Sequence, residues 1–159
     1  MNLDDAEAMA VSLIAGHIDE KGWTFKFDNA KTRLGHCRDA TKTIYISRHL
    51  VLLNDEDEVR DTILHEIAHA IVGERRRWRE EHDKAWRVVA HSIGARPEAF
   101  AGEEVRMPPH RWVGTCPACG EIQARRHRLL QWVEHSCGQC SDTWDPQFRL
   151  VWTEAEPAS

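Results

Sequence analysis

Five consecutive residues, His65-Glu66-Ile67-Ala68-His69, carry two imidazoles four positions apart with a carboxylate beside the first. On a helix, positions i and i+4 share a face, so both rings can bind one metal ion. Glu66 then sits about 100° round the helix from His65, where it can reach a water on that metal. This is zinc hydrolase chemistry, most often the hydrolysis of peptide bonds. A catalytic zinc usually takes three protein ligands and keeps one position for water, so a third ligand must come from outside the motif.

His82 is the best candidate for that ligand. It opens a helical pattern in which Ala85, Trp86, Val89, Ala90 and Ile93 share one side, and Gly94 and Pro97 end it. His82 falls on the same side, with Trp86 one turn later, and so should point inward. His91 falls on the opposite side and reads as solvated. Glu74, Glu80 and Glu81 compete for the third position, because a carboxylate fills it in thermolysin-type sites. The metzincin spacing fails, since its glycine and third histidine would fall at Val72 and Arg75.

A second constellation is made of thiols. Cys116-Pro117-Ala118-Cys119 and Cys137-Gly138-Gln139-Cys140 are two C-x-x-C knuckles separated by 17 residues, the spacing of a zinc ribbon. Four thiolates close a tetrahedral site with no open position, so this zinc should fold its module rather than catalyse. Two disulfides are the competing reading, which suits a secreted chain better than a reducing compartment. The chain therefore calls for two Zn²⁺ ions, one catalytic and one structural. Cys37 is left over and reads as a packed or surface thiol.

The elements that must position these groups can be read in outline. Residues 56–72 predict the motif helix. Asn54 or Asp55 can cap it, and Glu56, Asp57 and Glu58 complement its N-terminal dipole. Val59, Ile63, Leu64, Ile67, Ala70 and Ile71 form its apolar arc, opposite a face with Glu58, Asp61, Thr62 and the two histidines. Residues 3–20 predict an amphipathic helix that Gly22 breaks. Residues 23–27, 31–37 and 42–47 predict three strands of a small antiparallel sheet. In zinc proteases such a sheet offers its edge to an extended peptide through main-chain hydrogen bonds. The expected class is α+β: a zincin-like helical domain with that sheet, then a β zinc ribbon. The expected boundaries are 1–95 for the first domain, 96–111 for a linker rich in proline and glycine, 112–152 for the ribbon and 153–159 for a disordered tail.

His65-Glu66-x-x-His69 followed by His82-Asp83-x-x-Trp86 resembles the SprT-like metalloprotease family, relatives of the DNA–protein crosslink protease Spartan. The segments Arg33-Leu34-Gly35, Tyr45-Ile46-Ser47 and Val59 to Leu64 add to the likeness, which spans roughly residues 20–95 with a ribbon-like tail beyond. The family often has glycine after the third histidine, where this chain has Asp83. The resemblance implies a zinc metalloendopeptidase with His65, His69 and His82 as ligands, Glu66 as general base, a protein substrate and association with DNA.

Composition limits the partners. The 159 residues carry a net charge of −5 at pH 7, so the overall basic footprint of a dedicated DNA-binding protein is missing. Two basic clusters stand against that background: Arg75, Arg76, Arg77 and Arg79 around Trp78, and Arg125, Arg126 and Arg128 inside the ribbon. Arginine interleaved with an aromatic can hold phosphates and stack single-stranded bases. Solvated loops would show the same composition. The acidic start lacks the n-region and h-region of a signal peptide, and no apolar run approaches a membrane span, so a cytoplasmic protein is expected. A regulatory peptidase with one dedicated target and a non-catalytic zinc-ribbon binding or adaptor protein are the competing functions.

Overall fold

The computed structural model describes residues 1–18, 22–73, 82–97, 105–130 and 134–155. It divides into two compact units, residues 1–108 and 109–159. In the first, the order is α1 (Leu3–Ile18), β1 (Thr24–Asp28), β2 (Gly35–Arg38), β3 (Thr43–Ser47), α2 (Arg48–Leu53), α3 (Glu56–Val72) and α4 (Lys84–Ser92). In the second it is β4 (Trp112–Thr115), β5 (Ile122–Arg126) and β6 (Val151–Glu154). No described helix is long and apolar enough to cross a membrane.

The core of the first unit follows from periodicity. Ala6, Ala10, Ile14 and Ile18 recur every four residues on α1 and are all buried. They meet Val59, Ile63, Leu64 and Ile67 of α3, Ile44 and Ile46 of β3, Leu50 and Val51 of α2, and Trp86 and Ala90 of α4. The motif helix spans the expected residues. Asp55 caps it by accepting the N–H of Glu58, with Glu56, Asp57 and Glu58 in the first turn.

The first sheet has three strands in the order β1-β3-β2, and it is mixed rather than antiparallel. β2 pairs antiparallel with β3 across a short 3₁₀ turn at Asp39–Thr41, whereas β1 runs parallel to β3. Parallel pairing arises because the chain after β1 steps past β3 before returning as β2. Ser47 ties that crossing together: its hydroxyl donates to Ala30 O at 2.6 Å. The same oxygen accepts the N–H groups of His49 and Leu50 and so caps α2. α2 itself was not expected. It is a single short helix without a periodic stripe, and Ser47 both ends β3 and caps it.

Two expected boundaries meet the structure differently. Part of the segment read as a linker packs on the first unit. Arg96 donates to both carboxylate oxygens of Glu58 and to Asp61. The Asn54 amide donates to Arg106 O and accepts the Arg106 N–H, as a second backbone would. At the far end, β6 pairs with β4 as far as Glu154 and Ala155 donates to Arg111 O, so ladder hydrogen bonds carry order into the segment read as a tail from 153.

Ser47 is 2% exposed, and removing its hydroxyl takes a partner from the part-buried Ala30 carbonyl and from two helix N–H groups, that of Leu50 being buried. Ser47→Ala is expected to lower stability by about 1–3 kcal/mol. Urea unfolding should show a lower midpoint at an unchanged slope.

Candidate metal centres

α3 presents its two sides unequally. Val59, Ile63, Leu64 and Ile67 are sealed in the core, while His65 and His69 stand half-buried on the other side. Thr62, expected on the histidine face, is buried, and its hydroxyl donates to Glu58 O. His82 does not lie in a helix as the sequence pattern suggested. It sits two residues before α4, because Asp83 is the cap: its carboxylate accepts the N–H groups of Ala85 and Trp86. The residue that departs from the family's usual glycine thus starts α4 immediately after the third histidine. A capping aspartate before a helical run was the available signal.

The three Nε2 atoms converge. They lie 3.2 Å apart for His65 and His69, 3.2 Å for His69 and His82, and 3.0 Å for His65 and His82. Each nitrogen of a neutral imidazole is either a donor or an acceptor. Among three atoms in mutual contact, at least one pair must then be alike, and a like pair repels. A shared cation removes the conflict, since all three can offer lone pairs to it. Zinc–nitrogen bonds of about 2.0–2.1 Å in tetrahedral geometry put nitrogens about 3.3 Å apart, close to the triangle seen here. The donor set therefore fits zinc.

The rings are kept in the state a metal needs. Burial, reinforced by His82, pushes His65 down to about 4. Burial, reinforced by His65 and His82, pushes His69 down to about 3. Both are neutral at pH 7. Trp86 packs against the whole triad, its ring centre 4.6 Å from His65, 5.4 Å from His69 and 4.6 Å from His82. The indole is 1% exposed, so it forms an apolar floor that excludes water and restricts the three rings.

Glu66 lies between the two helix histidines in sequence but points to the sheet side of α3 and is 7% exposed. Its Cγ lies beside the backbone of Gly35 in β2. Cys37, on the same face of β2, is half-buried, and its thiol contacts Asp39 Oδ1 at 3.6 Å. Burial, then Asp39 and Glu66, raises that thiol's pKa and keeps it protonated. Cys37 is in neither metal cluster. Glu74, Glu80 and Glu81, the competing ligands, lie outside the described residues, as do Arg75, Arg76, Arg77 and Arg79.

In the second unit the four knuckle sulfurs gather within 4.8 Å of one another. Cys116 and Cys140 are 3.9 Å apart, as are Cys119 and Cys137. A disulfide requires about 2.05 Å. Tetrahedral zinc with 2.3 Å bonds puts sulfurs about 3.8 Å apart, so this set also fits zinc. Tight turns aim the thiols: Gly120 donates to Cys116 O, with φ at +74°, and Ser141 donates to Cys137 O. Arg125, Arg126 and Arg128 are exposed. Consecutive strand residues face opposite ways, so Arg125 and Arg126 cannot serve one surface. Arg126 and Arg128, with Arg149, His135 and Trp152, line a cleft of about 270 Å³ that sequence reasoning did not anticipate.

Comparison with known proteins identifies a family. The model of the SprT-like family matches residues 9–107, more than half of the chain. Among solved structures, the metallopeptidase zymogen jannalysin of Methanocaldococcus jannaschii is similar at 16% identity and a TM-score of 0.47, covering 63% of this chain and 86% of that chain. No curated protein matches.

Two expectations follow. Native mass spectrometry should find two zinc ions on the intact chain and one on His82→Ala, with the thiolate site still filled. In the metal-free chain, His65 and His69 titrate near 4 and 3 when folded but near 6.5 when unfolded. Between these values the unfolded state binds more protons, so stability is lost as pH falls from about 6.5 towards 4. Thermal melts of the metal-free protein should show this fall, and a His65→Leu/His69→Leu variant should show a shallower one.

Proposed function

The chain belongs to the SprT-like family, and from that premise we propose a zinc-dependent metalloendopeptidase in which His65, His69 and His82 hold the metal and Glu66 is the general base. The observation that carries this reading is the triangle of imidazole nitrogens, 3.0–3.2 Å on a side, on a helix that also carries the buried Glu66 between two of its histidines in sequence. When bound, zinc would lower the pKa of a coordinated water towards about 7 and polarise the scissile carbonyl. Glu66 takes the proton of the attacking water and later delivers one to the leaving amine. Trp86 keeps the imidazoles oriented and dry.

β2 is the edge strand next to α3 and, among the described residues, pairs only with β3. An extended peptide could add to its open edge, with affinity from main-chain hydrogen bonds and little demand on sequence. The four thiolates hold a structural zinc in the second unit. Association with DNA, and cleavage of proteins bound or crosslinked to it, is supported by the family resemblance and by the ribbon cleft. Arg126, Arg128 and Arg149 offer phosphate contacts there and Trp152 an aromatic face. Arg149 is also paired with Glu134 at 3.0 Å, which tempers its charge.

The decisive experiment is a gel assay of the zinc-loaded protein, with and without single-stranded DNA, against Glu66→Gln. A DNA-binding protein, a generic unfolded protein and the chain itself serve as substrates. Fragments that depend on DNA and vanish in Glu66→Gln, with its zinc content unchanged, are expected. A fully active Glu66→Gln protein sinks the mechanism. Cleavage that ignores DNA favours a dedicated regulatory peptidase, and no cleavage under any condition favours a non-catalytic binding module.

A further inference from the structure

Gly35 is the first residue of β2, paired with Ile46 of β3. Glycine in a paired strand often marks a place where something approaches the backbone closely. Backbone freedom does not explain this one, because Gly35 is not among the residues with positive φ. The reason is space. A Cβ at this position would stand 2.9 Å from Ile46 Cδ1, 2.9 Å from Tyr45 O and 3.0 Å from Glu66 Cγ. Unbonded carbons pack at about 3.5–4.0 Å, so all three contacts are too short to keep.

The three neighbours differ in how far they can yield. Tyr45 O belongs to the central strand, paired on both sides, and stays where the ladder holds it. Ile46 is fully buried. Ile46 Cδ1 and Glu66 Cγ both belong to side chains, so an added Cβ presses on both, and the Glu66 side chain is among what must shift. Cys37, two residues along β2, lies on the same face as Gly35.

We propose that Gly35 is a positioning residue for Glu66: the missing side chain leaves the slot in which Glu66 packs, so the strand whose open edge would take a peptide also sets the reach of the base. This rests on Glu66 as the general base. A shift of about 1 Å in a reacting group can cost on the order of 100-fold in rate.

The test is Gly35→Ala, measured alone and in a Glu66→Ala background. In the first, kcat is expected to fall about 10- to 100-fold with KM nearly unchanged, because binding survives while the base is misplaced. Zinc content and zinc affinity by chelator competition should stay at wild-type levels. In the second, the melting-temperature drop caused by Gly35→Ala should be clearly smaller, since Cγ is gone. A variant that folds only in the Glu66→Ala background supports the proposal equally. Wild-type kcat in zinc-loaded Gly35→Ala overturns it. So does an equal drop in both backgrounds, or failure to fold in both, because the glycine would then serve only the sheet. The melting cycle needs no peptidase activity, so it separates failure of this inference from failure of the functional reading.

Discussion

Three ring nitrogens within 3.2 Å of one another cannot form three donor–acceptor pairs, and the site in the first unit is built on that conflict. Two of the nitrogens come from one helix and cost nothing in long-range organisation. The third comes from a different element and has to be brought to them. α3 can hold its pair rigidly because its opposite side is sealed by α1, β3 and α2. A looser helix would let the rings swing apart and find water. Burial both fixes them and keeps them neutral, so the same packing supplies geometry and protonation state.

The third ligand depends on a local device. Asp83 caps α4 and so determines where the helix begins, which leaves His82 just outside it with a backbone free to turn towards α3. Trp86, in the first turn of α4, then packs under all three rings. Cap, ligand and floor lie within five residues, so one short segment delivers both the coordinating atom and the apolar support. Arg96, beyond α4, closes back on Glu58 and Asp61 of α3 and anchors the other end of that helix.

The second unit solves a different problem. Among its described residues, the buried apolar side chains are Cys116, Cys137 and Leu150, with a few partly buried neighbours. Two of those three are thiols of the metal cluster. So small an apolar core supplies little folding free energy, and a bound zinc would take the place that a larger core occupies elsewhere. The strands β4, β5 and β6 then serve to hold two knuckles at the right separation.

Short-range features were legible in the sequence because their physics is short-range. An i,i+4 histidine pair, a capped amphipathic helix at 56–72 and two C-x-x-C knuckles are set by residues within a turn or two of each other. Their chemistry could be named before any fold was known. The tertiary structure alone decided what depends on distant segments meeting. It made β1 parallel to β3, with Ser47 holding Ala30 across 17 residues. It drew part of the expected linker onto Glu58, Asp61 and Asn54, and it separated Arg125 from Arg126 by strand alternation. Above all it brought Gly35 against Glu66. No local pattern distinguishes a glycine needed for a turn from one needed for the space it leaves, because that space belongs to an atom of another element.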